Sequence, residues 1–464
     1  MLARFSGLFF AFLKMKNWDD TIVALASPAG IGAIALLRIS GPQSLEILNQ
    51  LAPDAKVESR KSHQAFLGKL SWQGEMLDEA LVTIFRAPRS FTGENVVEIG
   101  LHGSPYIVHQ TVKACLEAGS RMAGPGEFTQ RAYLNRKLDL AQAEAIGDLI
   151  ASESKSAHRA ALQQVKGGLS KEIQELRQQL IDFTALIELE LDFSEEDVEF
   201  ADRSQLLNLI QKITSHIGKL LQSFSTGQAV KNGIPVVIVG PPNAGKSTLL
   251  NALLEEEKAL VSPIAGTTRD VIEDKLLIEG VLFRLVDTAG LRETTDRVEQ
   301  MGIARTREQL AKASFALLLQ APDSEEAEVA EIEAEIQQRG LPYLKVWTKA
   351  DVQEKNHAEE GSLQIAAPVG TGLEELKREI LKRSIDKTML ESESSLITNL
   401  RHYEALAKTR ESLRQVQDNL DAGLSGDLLA TEIREALFHL GSITGEITVE
   451  DILGSIFSRF CIGK

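Results

Sequence analysis

Disulfide chemistry has little to work with in this chain. Its 464 residues include two cysteines, Cys115 and Cys461, far apart in sequence. That is no disulfide framework, and it fits a reducing, cytoplasmic setting. Long hydrophobic runs are also missing. The apolar run Leu8 to Leu13 near the start is six residues long, whereas a bilayer span needs about 20. No small-residue cleavage site follows it, so neither a membrane segment nor a secretion signal is predicted. Positive charge is in deficit: 50 Lys+Arg stand against 66 Asp+Glu, a formal balance of −16. Such a balance argues against nonspecific nucleic-acid binding. The deficit is uneven, because residues 1–137 hold 15 cations and 12 anions and the remainder therefore carries −19. A polyanion would meet the N-terminal third more easily, unless a local basic patch lies elsewhere. With 43% hydrophobic and 25% charged residues, the composition is that of a globular chain long enough for about three domains.

What is present is organised around Gly240 to Thr248, GPPNAGKST. It fits G-x-x-x-x-G-K-[ST], and the context is right: the β-branched run Ile234 to Val239 precedes it and a helix-like run from Leu249 follows. Backbone N–H groups of such a loop cradle phosphates at a helix N-terminus. Lys246 is expected to reach the β- and γ-phosphates and Ser247 to ligate magnesium. Downstream, AGTTRD (Ala265 to Asp270) offers Thr268 as a second magnesium ligand and γ-phosphate sensor. DTAG (Asp287, Thr288, Ala289, Gly290) offers the water-mediated magnesium carboxylate and an N–H for the γ-phosphate. TKAD carries Thr348, Lys349 and Asp351, with Asp351 reading the two donors of guanine and Lys349 packing along the base. Thr348 stands where Asn is usual, which predicts a weaker loop tether. Ala366-Ala367 stands where a Ser-Ala pair is common, and a backbone N–H there can still meet the guanine carbonyl. Together these boxes predict a GTPase.

The domain plan follows from texture. Residues 1–18 read as a disordered or mis-started tail. Residues 19–137 alternate strand-like runs (Thr21 to Leu25, Ala33 to Ile39, Ala80 to Phe85, Val96 to Leu101) with two helices, Ser44 to Leu51 and Pro105 to Gly119, giving an α+β domain. Residues 138–228 and 385–464 are rich in Ala, Leu, Glu, Gln and Lys at helical spacing. They read as one helical bundle split in sequence, with the α/β P-loop GTPase domain, 229–384, inserted between its halves. Leu138 to Val165 reads as one long helical segment. Cys115 reads as core, and His102 as a hydrogen-bonded loop histidine.

One position breaks the Ras-like pattern. Leu291 follows DTAG where a Gln would orient the attacking water, so another group must do so. Asn243 offers a spare amide oxygen that either tightens the loop or holds a monovalent cation beside the phosphates. Glu299 by itself reads as a solvated helix-end residue.

GPPNAGKST, AGTTRD, DTAGLRETTDRVEQMGI, SFTGE (Ser90 to Glu94), PGEFTQRAYLNRKLDLAQAEAI (Pro125 to Ile146) and the terminal CIGK closely resemble the MnmE (TrmE) family of bacterial tRNA-modification GTPases, over nearly the whole chain from about residue 19. The resemblance implies a potassium-activated GTPase whose G domains pair across GTP. Asn243, Ser262, Ile264 and Thr267 would hold potassium, Glu299 would act on water through a second water, and Arg292 would support the rearranging switch. The GTP shell would include Asn243, Ala244, Gly245, Lys246, Ser247, Thr248, Ser262, Thr267 and Thr268. It further implies a folate site at Arg38, Glu98, Lys137 and Lys464, for a tetrahydrofolate derivative in its 5,10-methylene or 5-formyl form, and a chemical role for Cys461. The expected assembly is a homodimer with the FAD-dependent MnmG (GidA), acting on carbon five of the tRNA wobble uridine with no membrane involved. Two alternatives remain open from the residues: a ribosome-assembly-type GTPase switch without modification chemistry, and a GTP-binding module without turnover.

Overall fold

A computed structural model describes residues 19–192, 203–258, 274–286, 302–351, 362–385, 396–422, 426–447, 450–458 and 460–463. The chain forms two compact units. The first comprises Met1–Gly147, Gln164–Gln211 and Lys408–Lys464, and the second Asp148–Gln163 and Lys212–Ala407.

The first unit holds a six-stranded sheet, ordered β3-β4-β5-β2-β1-β6. Its strands are β1 (Ile22–Leu25), β2 (Ile34–Ser40), β3 (Gln64–Trp72), β4 (Glu75–Phe85), β5 (Val96–His102) and β6 (Arg121–Met122). Alternation sorts the two faces. Leu37, Ile39, Val82, Ile84, Val97, Ile99 and Leu101 point into a core closed by α1 (Ser44–Leu51) and α2 (Pro105–Glu117), which contributes the buried Cys115. Burial holds the Cys115 thiol at about 12, so it stays protonated and acts as an apolar filler. On the opposite face Leu67, Leu81, Gly100 and Leu36 stand in cross-strand register, with Leu67 and Leu81 more than half exposed.

β3 lies outside the expected strands. Gly68 and Lys69 dilute its β-propensity, yet a Cβ at Gly68 would make only ordinary contact with Val82, and Phe66 and Leu70 are buried. α3 (Glu127–Leu134) was likewise hidden within the PGEFTQRAY motif. The long helical segment from Leu138 is broken into α4 (Leu140–Ala151) and α5 (Lys155–Val165). The physical reason is an N-cap: Ser154 Oγ accepts the Ala157 N–H at 3.1 Å. Further on, α6 (Gly168–Asp192) buries Ile173, Leu176, Leu180, Phe183 and Ile187 at helical spacing and packs on α14 (Gly426–Thr444). Each such side chain contributes roughly 1.5–3 kcal/mol of burial.

The second unit holds a second six-stranded sheet, β12-β11-β10-β7-β9-β8. Its members are β7 (Ile234–Val239), β8 (Asp274–Ile278), β9 (Val281–Leu285), β10 (Phe315–Gln320), β11 (Tyr343–Trp347) and β12 (Leu363–Gln364). All pair in parallel except the β8–β9 hairpin. The parallel strands are buried on both faces. Val236, Ile238 and Leu317 pack with Leu249 and Leu253 of α9 (Lys246–Lys258) and with Leu376 and Ile380 of α12 (Leu373–Ser384). Val237, Val239 and Leu318 pack with Leu310 of α10 (Gly302–Lys312) and with Val329 and Ile336 of α11 (Glu326–Gln338). This is a doubly wound α/β sheet, so a ligand belongs at the carboxyl ends of its strands. The remaining helices are α7 (Arg203–Gln222), α8 (Phe224–Asn232), α13 (Leu400–Asp421) and α15 (Glu450–Phe457). Among the described residues no helix is long and apolar enough to cross a membrane.

Candidate functional sites

The loop between β7 and α9 is shaped for an anion. Gly240 has φ +154, and a Cβ there would lie 2.4 Å from the Leu319 carbonyl oxygen. Gly245 has φ +86 and Asn243 has φ +60. These left-handed residues turn the chain so that α9 begins at Lys246, with Ser247 and Thr248 in its first turn. Asn243 is exposed and Ala244 fully buried. Lys246 Nζ donates to the carbonyls of Gly240 at 2.8 Å and Pro241 at 2.6 Å. Burial lowers its pKa, with Glu328 opposing. The ammonium is thus folded against the loop from which it can reach a phosphate. The fit to a nucleotide triphosphate is good: a glycine cradle, a helix N-terminus and a cation share one loop.

At the base end, Thr348 is tied to the phosphate loop. Its hydroxyl is buried and donates to the Ala244 carbonyl at 2.9 Å, while its N–H bonds the Gln320 carbonyl at 2.9 Å. Thr therefore keeps a tether to the phosphate loop, through one hydroxyl donor where Asn is usual. Lys349 sits at φ +56, and its Nζ lies 2.9 and 3.0 Å from the two carboxylate oxygens of Asp323. That hydrogen bond leads the causes that draw the Asp323 carboxyl below its ordinary range. Asp351 is exposed. Ala366 is buried and bonded through its N–H to Thr371, and Ala367 opens a short 3-10 turn. Ser262, Ile264, Thr267, Thr268, Asp287, Thr288, Ala289, Gly290, Leu291, Arg292, Glu299 and Lys464 lie outside the described residues.

The first unit brings a second group together. Arg38 and Glu98 are cross-strand partners in register. Arg38 Nε and Nη2 both donate to Glu98 Oε1, at 2.9 and 2.7 Å. The guanidinium also lies 5.6 Å from the Phe91 ring centroid and 5.7 Å from that of Phe128. From the other end of the sequence, Gly463 O accepts from Arg38 Nη1 at 3.5 Å. The tail is seated by a Pro125–Ile462 bridge and by Gly126 N–H to Cys461 O. A Cβ at Gly463 would stand 2.3 Å from the Leu25 carbonyl oxygen, so only glycine passes there. Cys461 is exposed. Lys137 Nζ donates to the Pro88 carbonyl at 3.0 Å, and its stem lies against Gly93. The Ser90 to Glu94 loop therefore touches both cations. A planar fork, a carboxylate, an aromatic edge and a second cation suit an anionic, donor-rich ring ligand. His102 is held by Asp78, Nδ1 to Oδ1 at 2.7 Å, so it is hydrogen-bonded as expected, but it ends strand β5 in register with Ile34 instead of lying in a loop.

Sequence reasoning missed what holds this site. Arg131 is 1% exposed and reaches Glu94, Asp20 and Glu127. Arg121 clasps Glu127 and Asp20. Burial alone would raise the Asp20 and Glu127 carboxyls, but the arginines, led by Arg121, bring both below their ordinary values. Glu94 also accepts from Ser40 at 2.6 Å. The signal was present, since Glu94, Glu127 and Arg131 all fall in the quoted motifs, but charge patterning cannot show that they meet. No cluster of His, Cys, Asp or Glu fit for a metal occurs among the described residues.

Comparison with known proteins adds the following. The family model for the GTP-binding protein TrmE N-terminus matches residues 21–137, and that for the MnmE helical domain matches residues 140–461. The chain is 51% identical over 456 residues to the tRNA modification GTPase MnmE of Cytophaga hutchinsonii, covering 97% of this chain and 99% of that relative. It is 48% identical to the protein of the same description from Christiangramia forsetii, over 96% of this chain and 99% of that relative. For Flavobacterium johnsoniae the identity is 46%, over 96% and 99%.

Proposed function

The chain belongs to the MnmE (TrmE) family of tRNA-modification GTPases, and we propose that it spends GTP to gate the modification of carbon five of the tRNA wobble uridine. In this reading it works in the cytoplasm as a homodimer, in a heterotetramer with the FAD-dependent MnmG (GidA). The product carries an aminomethyl or carboxymethylaminomethyl group. The domain plan is a helical bundle divided around the G domain. When bound, magnesium and potassium would neutralise charge developing between the phosphates, the tetrahydrofolate derivative would carry the one-carbon unit, and the partner's flavin would supply redox equivalents.

The chain's own residues have these roles. Lys246 leaves the Gly240 and Pro241 carbonyls for the phosphates. Ser247, Thr268 and Asp287 hold magnesium; Asn243, Ser262, Ile264 and Thr267 hold potassium. Glu299 orients water through a second water, and Arg292 supports the switch. Asp351 reads guanine. Arg38, Lys137 and Lys464 take the folate carboxylates, and Glu98 takes the pterin donors. Cys461 is the reactive thiol. The exposed row of Leu67, Leu81 and Ile34 on the open sheet face supports the homodimer, because an apolar face of that kind calls for a cover.

The observation that supports the modification half of this reading is the meeting of Arg38, Glu98 and the Gly463 carbonyl, which sets the backbone of the C-terminal tail, two residues beyond Cys461, against the residues we assign to folate. Nucleoside analysis of tRNA from a deletion strain is the test. Wobble modification is expected to vanish, to return with the wild-type gene, and to stay absent with Cys461→Ser although GTP turnover persists. Normal modification in the deletion strain would overturn the proposal.

A further inference from the structure

We propose that the exposed face of α5, carrying Lys155, His158 and Arg159, is a docking surface for the sugar–phosphate backbone of tRNA. This rests on the reading of tRNA as the substrate and says where on this acidic chain the polyanion is met. From Ser154 to Lys171 the sequence contains Lys155, His158, Arg159, Lys166 and Lys171 and no aspartate or glutamate, in a chain with 66 acidic residues. The helix is two-sided: Ser154, Ala157 and Ala161 are buried, while Lys155, His158 and Arg159 are exposed.

Local electrostatics make this arrangement costly to the helix itself. Lys155 and Arg159 are four residues apart, hence neighbours on one face, and like charges so placed cost about 0.2–0.5 kcal/mol. Lys155 also occupies the first turn, where the helix dipole disfavours a cation, and no acidic residue in that turn offsets it. The contrast with α12 is direct. There Lys377 pairs with Glu374, and Lys382 and Arg383 pair with Glu379. Among the described residues no carboxylate pairs with Lys155 or Arg159. Glu153, just before the helix, is taken by Lys275, and Gly280 of the β8–β9 turn lies against the Lys155 stem.

A site that breaks local rules without an internal gain is where function is expected. The helix-terminal amides are not available for an anion, since Ser156 N–H bonds the Gly280 carbonyl and Ala157 N–H bonds Ser154. The contact therefore falls to the side chains, as in phosphate-backbone recognition. The ligand chemistry is a polyanion, and the family's substrate is one.

Fluorescence anisotropy with bulk tRNA across a salt series, on the full chain with GDP present, tests this. Lys155→Gln/Arg159→Gln is expected to weaken binding about tenfold at moderate salt. It should also make the slope of log affinity against log salt shallower by about 1.5, the loss of two phosphate contacts. Basal GTP hydrolysis should be unchanged, and Arg159→Lys should bind as wild type does. The control Lys312→Gln/Lys382→Gln removes equal charge from other helices and should bind normally. Equal loss in the control, or unchanged affinity and slope in the α5 variant, overturns the surface. Absence of any salt-dependent tRNA binding by the wild-type chain would instead remove the substrate reading, and this inference with it.

Discussion

The two candidate sites are built for anions by opposite means. At the phosphate loop the recognising groups are main-chain N–H groups joined by one cation, Lys246, so most of the sequence requirement falls on residues without side chains. Gly240 and Gly245 hold backbone angles that other residues rarely adopt. At the N-terminal site the recognising groups are side chains, placed by strands whose register was set for other reasons, namely the burial of Leu37, Ile39, Val97 and Ile99. The first kind of site is contiguous and tolerates change in the distant core. The second is scattered over more than 400 positions and depends on a chain tail arriving at the right place. A main-chain site should therefore fail sharply at one glycine, and a side-chain site in graded fashion.

The sharpest break of that contrast is Gly240→Ala. Its Cβ would sit 2.4 Å from the Leu319 carbonyl oxygen, a backbone atom that cannot step aside, so the loop must move as a whole. GTP affinity is expected to fall more than about a hundredfold, the scale of losing two charge-assisted contacts. Binding of 5-formyltetrahydrofolate to the same variant should be unchanged. Fluorescent-nucleotide titration beside calorimetry separates the two, and normal nucleotide affinity would show that the cradle does not need glycine.

The reverse experiment is Arg38→Ala. It removes both donors to Glu98 and the cation between Phe91 and Phe128. Folate affinity is expected to drop roughly tenfold to a hundredfold, on the order of 1.5–3 kcal/mol for a charge-assisted contact, with GTP binding untouched. Arg38→Lys should recover only part of the loss, because a point charge replaces a fork. Full recovery by lysine would reduce the site to simple charge attraction.

How much was legible follows the same division. Gly240 to Ser247 declared themselves because strand, turn and helix succeed one another along the chain, and the doubly wound sheet could be read from the alternation around them. Arg38 and Glu98 look like surface charges on two half-exposed strands. Only the resemblance singled them out, and only the register of β2 against β5 explains why they meet. The buried arginine network under Glu94 left no trace in periodicity, since a fully buried Arg131 is paired by residues 4, 37 and 111 positions away. β3 was lost to a glycine and a lysine at its centre, where tertiary packing against Val82 overrides propensity. The Ser154 cap was a readable signal that the helical texture on both sides obscured.

The mildest test sits where the two modes mix, because Thr348 is a side chain that serves a main-chain site. Thr348→Ala deletes the hydroxyl that holds the Ala244 carbonyl from within the core. The carbonyl is then left without that donor, at a cost of about 1 kcal/mol, and roughly a fivefold faster release of a fluorescent GDP is expected in stopped flow. Thr348→Ser keeps the donor and should release at the wild-type rate, whereas Thr348→Val keeps the shape without the donor and should match the alanine variant. Were valine to behave as wild type, the loop would be held by packing of the β11 end alone. The backbone of the phosphate cradle would then be held without side-chain hydrogen bonds from β11, and the contrast between the two sites would be sharper.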